Sequence, residues 1–157
     1  MTPYRNPFAP GTDRHALWHL LVEVDIEAFV HADWDRLKTA FIGEGFTAID
    51  AQGSLNPDSW RLSFTRAEDY GALWLDNARQ MAERVARDDL RQAFIDATTM
   101  DDIEVQGDSA LLHNKLDGQI VTASGEIIPL HWQTLYQCVK LGGAWKIAGF
   151  VGFLPLT

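Results

Sequence analysis

From about Ala93 onward the chain reads as four extended segments cut by turn signals, and this pattern constrains the fold more than any other feature. The segments AFIDATTMDDIEV, SALLHNKLDG, EIIPLHWQTLYQCVKL and AWKIAGFVGFLPL are rich in β-branched and aromatic residues or alternate apolar with polar ones. Gly107-Asp108, Asp117-Gly118, Ser124-Gly125 and Gly142-Gly143 supply the turn chemistry between them. The first half has helical periodicity instead. Helices first and long antiparallel strands second predict an α+β fold rather than alternating βαβ units.

Residues 1–12 carry Pro3, Pro7 and Pro10 and predict an extended N-terminal arm, leaving 13–157 as a single domain. Asp13 is placed to cap a first helix running to about Ala32. His15, His19, Glu23 and Glu27 form its wet stripe, and Trp18, Leu21, Ala28, Phe29 and Ala32 its buried one. Asp25 falls in the middle of the buried stripe, beside Arg14. A carboxylate on a core face is costly unless it is paired or opens into a cavity, so Asp25 has two readings: a structural pair with Arg14 or a functional acid.

Asp33 is placed to cap a short second helix bearing Trp34, Leu37, Ala40 and Phe41, and a short strand from Phe46 to Asp50 follows. Thr65 and Glu68 have capping-box spacing before a third helix with Tyr70, Trp74, Ala78, Met81, Ala82 and Val85 on its apolar face.

Composition narrows the function classes. The 22 Asp and Glu against 13 Lys and Arg leave a net charge of −9, which opposes a phosphate-backbone partner and so excludes nucleic acid as the expected ligand. No apolar run is long enough to span a membrane, and MTPYRNPFAPGTDR lacks the apolar core of a secretory signal, so a cytoplasmic protein is expected. The single Cys138 reads as a small buried hydrophobe. The five histidines are scattered without metal-ligand spacing, no Gly-x-Ser-x-Gly elbow occurs, and the glycines sit in turns. Neither a metal nor a nucleotide cofactor is implied.

The Ala32-Asp33-Trp34-Asp35 run leading to Phe41, and Gly142-Gly143-Ala144-Trp145-Lys146-Ile147 near the end, resemble the nuclear-transport-factor-2-like superfamily. Its SnoaL-like and ketosteroid-isomerase-like branches are the nearest in pattern, over about residues 13 to 155. The resemblance implies three N-terminal helices packed in the concave face of a strongly curved antiparallel sheet, a cone-shaped, cystatin-like roll. It also implies a mostly apolar pocket and a homodimer through the convex face of the sheet. Members of this fold include enzymes and non-catalytic modules, so the resemblance does not choose between them.

Matched position by position, Asp25 stands where ketosteroid isomerases have a tyrosine, and Asp50 lies within one residue of their base aspartate. Gln137 stands in place of a proton-donating acid, which argues against steroid isomerisation itself. An inward Gln137 would put His131, Gln133 and Leu135 on the concave face with it, and Trp132 and Tyr136 on the convex face, forming the dimer contact with Phe150. A single bulge reverses that assignment. On the preceding strand, Ala110, Leu112, Asn114 and Leu116 are expected to point inward.

The resulting expectation is a cofactor-free enzyme that moves a proton on an apolar or ring-bearing carbonyl compound, of isomerase, dehydratase or cyclase type. Asp25 and Asp50 are its candidate acids and bases. Phe41, Tyr70, Trp74, Asn114, His131, Gln133 and Gln137 are its candidate substrate contacts. The alternative is a non-catalytic ligand-binding or homodimeric interaction module of the same fold.

Overall fold

In the computed structural model, which describes residues 3–156, the chain forms a six-stranded sheet of order β2-β1-β6-β5-β4-β3. The strands are β1 (Thr47–Asp50), β2 (Leu62–Phe64), β3 (Thr98–Gln106), β4 (Ser109–Val121), β5 (Ile127–Leu141) and β6 (Ala144–Pro155). All neighbours are antiparallel except β1 and β6, which pair in parallel. The sheet is therefore mixed. Met1 and Thr2 at the start of the predicted arm, and Thr157 at the end of the predicted domain, lie outside the described residues.

The first helix is one rod built from α1 (Asp13–Trp18), a π-helical stretch (His19–Val24) and α2 (Asp25–Val30). Its buried side, including Leu17, Leu21 and Ala28, joins the common core with Met100, Leu112 and Ile147 from the sheet. Thr12 rather than Asp13 caps it, accepting from the His15 N–H. Asp13 instead accepts from Lys140 Nζ at 3.1 Å and Trp145 Nε1 at 3.0 Å, tying the helix start to the β5–β6 hairpin. The N-terminal arm is anchored by Tyr4, which is buried in the core and donates its hydroxyl to Glu27.

Further local expectations differ from the structure. Asp33 does not cap a helix through its side chain; it pairs with Arg36, and the segment makes two short 3-10 turns, Trp34–Arg36 and Lys38–Ala40. Thr65 forms no capping box either, because α3 (Ala67–Arg84) starts after Arg66, whose guanidinium takes Glu68. The stretch AFIDA, read as strand, is the end of a further helix, α4 (Arg87–Ala97). Leu90, Ala93, Phe94 and Ala97 recur there at helical spacing and pack on the core, which outweighs the strand preference of Phe and Ile.

Gly118 marks no turn. It lies inside β4, where an added Cβ would come within 2.8 Å of the Ala97 methyl. The missing side chain lets α4 approach the sheet.

A second close approach involves Gly71 on α3. A Cβ there would stand 2.3 Å from the Trp34 ring, which is wedged among Phe41, Tyr70 and Trp74. Helix propensity alone favours Gly71→Ala by about 1 kcal/mol. The contact reverses the sign, since the added carbon would overlap a ring that Phe41, Tyr70 and Trp74 hold in place. Gly71→Ala is expected to lower the urea midpoint, and a raised midpoint would show that the Trp34 packing is looser than described.

Candidate active site

The cavity lies between the rod, α3 and the inner face of the sheet, with a volume of about 290 Å³. Spacing on α3 puts Tyr70, Trp74, Asn77, Met81 and Arg84 on one helix face, and that face forms one wall. Asp25, Ile26 and Phe29 from the rod form another, and Trp132, Thr134, Tyr136, Phe150 and Phe153 from β5 and β6 close the third.

The strand pairing explains which β5 residues line it. Directly opposed residues share a face, and the ladder sets Leu112 against Tyr136, Asn114 against Thr134, and Leu116 against Trp132. The inward row of β4 is the expected one, and it forces Trp132, Thr134 and Tyr136 inward with it. This corrects the predicted facing of β5. His131, Gln133 and Gln137 stand on the outer face, where His131 meets Asp117 at 3.2 Å and Gln133 meets His113 and the Pro155 carbonyl. Trp132, Tyr136 and Phe150 correspondingly leave the convex surface.

The physical reason for the reversal is the length of one turn. A two-residue turn at Ser124-Gly125 would set Asn114 opposite Leu135 and turn the odd-numbered row inward. The actual connection is the five residues 122–126, closed by Thr122, whose N–H donates to the Glu126 carbonyl, and it shifts the partner by one residue.

Asp25 faces this cavity. The partly accessible carboxyl is surrounded by Tyr70, Trp74 and Tyr136, and a hydrogen bond from Trp74 favours its charged form. Desolvation outweighs that bond and pushes the carboxyl up to about 7. Arg14, the candidate structural partner, turns elsewhere and donates Nε to the Ile103 carbonyl at 2.8 Å. Among the described residues no cation stabilises the Asp25 carboxylate. The π-helical stretch ends at Val24, immediately before Asp25, so the widened turn leads directly into the residue that enters the cavity.

Two phenols accompany the acid. Burial raises Tyr70 and Tyr136 well above the usual tyrosine range, and the nearby Asp25 carboxylate adds to the effect on both. They hold their protons at any physiological pH and are permanent hydrogen-bond donors.

The remaining sequence candidates take different places. Asp50 ends β1 and does not line the cavity; its Oδ1 accepts from the Gln52 N–H at 2.8 Å, and its charge adds to the upward shift of Tyr70. Phe41 is buried in an aromatic cluster with Trp34, Phe46 and Tyr70, behind the cavity wall. Asn114 is buried beside Thr134, and its Oδ1 has no hydrogen-bond partner. Arg84 sits at the cavity's far end, paired with Glu126. Sequence reading passed over Tyr136, Thr134 and Arg84. The hairpin length would have revealed the first two, and the i, i+3, i+7 spacing of Asn77, Gln80 and Arg84 would have revealed the third.

Comparison with solved structures places this architecture. An NTF-2-like protein of unknown function from Shewanella oneidensis superposes with a TM-score of 0.59 at 13% identity, covering 90% of this chain and 98% of that one. The chain has the NTF2-like fold. A conserved protein from Planctomyces limnophilus gives 0.59 at 17% identity over 88% of this chain and 93% of the other. A cystatin-like domain of unknown function from Nostoc punctiforme gives 0.58 at 16% identity, over 95% and 81%. No family model matches the sequence, and no curated protein does. No group of three or more metal-ligating side chains is gathered among the described residues, and none of their helices is long and apolar enough to cross a membrane.

The raised Asp25 has a measurable consequence for stability. Below about pH 4 the carboxyl is protonated in both folded and unfolded chains. As the pH rises, the unfolded chain loses its proton first, and the folded state loses stability until about pH 7. The climb from 3.8 corresponds to ~2–4 kcal/mol. Relative to Asp25→Asn, the wild type is expected to lose that much between pH 4.5 and 8 in urea titrations. Parallel curves for the two proteins would contradict a buried, uncompensated carboxyl.

Proposed function

We propose that the protein is a cofactor-free enzyme in which Asp25 moves a proton at a carbon beside a carbonyl group of a ring-bearing or otherwise apolar substrate. The observation that carries this reading is a desolvated carboxyl, raised to about 7, beside two phenols in an aromatic cavity. A base near neutrality is half ionised at working pH and takes a proton without becoming too weak to do so.

In the reaction, the Asp25 carboxylate accepts the proton from carbon, and the C–H electron pair passes to the carbonyl oxygen as an enolate. Tyr70 and Tyr136 donate hydrogen bonds to that oxygen as its charge grows. Returning the proton to another carbon gives isomerisation. Returning it to a β-hydroxyl as that group leaves gives water and dehydration, and attack of the enolate on a second carbonyl, whose oxygen then takes the proton from Asp25, gives cyclisation. The Trp74 N–H holds the carboxylate in position, and the rings of Phe29, Trp132 and Phe150 exclude water from the substrate.

Asp50 takes a supporting part in this scheme, as a charge beyond Tyr70 that keeps the phenol protonated. In this reading the chain resembles the SnoaL-like and ketosteroid-isomerase-like branches, with the acid on the first helix.

The outer row of the sheet supports a homodimer as a companion proposal. Leu111 is 62% exposed, Leu62 57% and Leu135 46%, and all three border one groove on the face opposite the cavity. Such a contact is compatible with either a catalytic or a ligand-binding pocket.

The chemical test is deuterium uptake from D2O into cyclic enones and β-keto compounds, followed by NMR. Wild type is expected to exchange the acidic C–H with a rate that rises through about pH 7. Asp25→Asn should lose at least 100-fold, and Tyr70→Phe and Tyr136→Phe about 10-fold or more each. Tight binding with no exchange would make the protein a ligand-binding module instead. Exchange unchanged in Asp25→Asn would remove Asp25 as the base.

A further inference from the structure

We propose that the same cavity binds a protonated amine attached to an aromatic or cyclic body, with the Asp25 carboxylate as its counter-ion. This holds whether or not Asp25 transfers protons at carbon.

The argument starts from an unmet requirement. A desolvated carboxylate is stable when a cation compensates it, and among the described residues none compensates Asp25. Arg14 is committed to the Ile103 carbonyl, and Arg84, which lines the far end of the cavity, faces Glu126 on the hairpin after β4. A ligand ammonium is the group that supplies what is missing.

The walls suit the same charge. Phe29, Tyr70, Trp74, Trp132, Tyr136 and Phe150 all border the space that Asp25 enters. Aromatic faces attract an ammonium through the ring quadrupole, most strongly where water is excluded, and such cages with a carboxylate are suited to alkylammonium groups. The same rings take the hydrocarbon part of the ligand. A neutral carbonyl compound uses the phenols as donors, whereas an ammonium uses the carboxylate and the ring faces, so one cavity accommodates both classes.

The titratable groups around Asp25 make proton release a usable readout. Tyr70 on α3 and Tyr136 on β5 keep their protons, Cys138 beside Tyr136 is pushed up to about 12, and Asp50 lies beyond Tyr70. Asp25 is therefore the group that titrates near neutrality in this cluster. An ammonium that arrives while Asp25 is protonated displaces its proton to solvent. One that arrives when Asp25 is already charged displaces none.

The experiment compares phenethylamine, phenyltrimethylammonium and 2-phenylethanol on the full-length protein, by calorimetry in two buffers of different ionisation enthalpy and by tryptophan fluorescence. At pH 8 both cations are expected to bind at least tenfold more tightly than the alcohol. At pH 6 each cation should release close to one proton and the alcohol none. Asp25→Asn, checked for a native circular dichroism spectrum, should lose the preference and the proton release together.

Equal affinity of the three probes for wild type would overturn the proposal, as would a cation preference that survives in Asp25→Asn. Should Asp25→Asn not fold, the wild-type comparison decides alone: a preference that weakens from pH 8 to pH 6 with proton release supports the proposal, and a preference without either contradicts it. None of these readouts requires turnover, so their outcome is separate from that of the exchange assay.

Discussion

The unbroken β4–β5 ladder, from Ser109 against Val139 to Val121 against Ile127, is the constraint on which the rest of the molecule depends. It fixes which residues of the two longest strands share the inner face. With that register, Leu112, Asn114 and Leu116 stand opposite Tyr136, Thr134 and Trp132, and the inner surface is aromatic with a few polar groups. A shift of one residue would replace it with Leu135, Gln133 and Gln137 and put the Trp132 and Tyr136 rings into solvent. The register irregularities fall in the other antiparallel pairs, between Ala48 and Ile49 in β1, between Thr99 and Asp102 in β3, and between Gln133 and Leu135 and between Gln137 and Cys138 in β5 against β6, and they leave the cavity-forming β4–β5 ladder intact.

Asp25 acquires its character from this surface. On an isolated helix it would be an ordinary carboxylate, and a nearby arginine would keep it ionised. Packed against Tyr136 and Trp74, with Arg14 held at β3 and Glu27 on another side of the rod paired with Arg91, it is desolvated and has no compensating charge. Surface acids of the −9 chain contribute little by comparison, because solvent screens them. The cost of burying Asp25 is borne by a core that joins residues of the rod, all the longer helices and the sheet. Such local instability at a pocket is how a protein prepares a reactive group.

Much of this was legible in the sequence where a single periodicity decided the matter. The order of helices and strands follows from residue spacing, the inward row of β4 was implied by the family resemblance, and the misplaced polarity of Asp25 on an apolar helix face is visible from a helical projection. What escaped depended on two elements meeting. The facing of Tyr136 depended on whether the β4–β5 turn has two residues or five. The role of Gly118 depended on Ala97 lying across from it, and α4 was hidden because Phe94 and Ile95 suit a strand as well as a helix. Asp50 shows the converse. Its position in the chain matched a family base, but the Asx-type turn to Gln52 directs the carboxyl to the backbone and away from the cavity.

The central claim is that Asp25 is a carboxyl group desolvated in an aromatic cavity without a countercharge. Its titration is the direct measurement, by carbon-detected NMR of 13C-labelled aspartate with Asp25→Asn used to assign the resonance. The account expects a midpoint near pH 7. A midpoint near 4 for Asp25 would mean that a cation or water compensates it, and would contradict both the acid–base and the amine-binding roles drawn from its isolation.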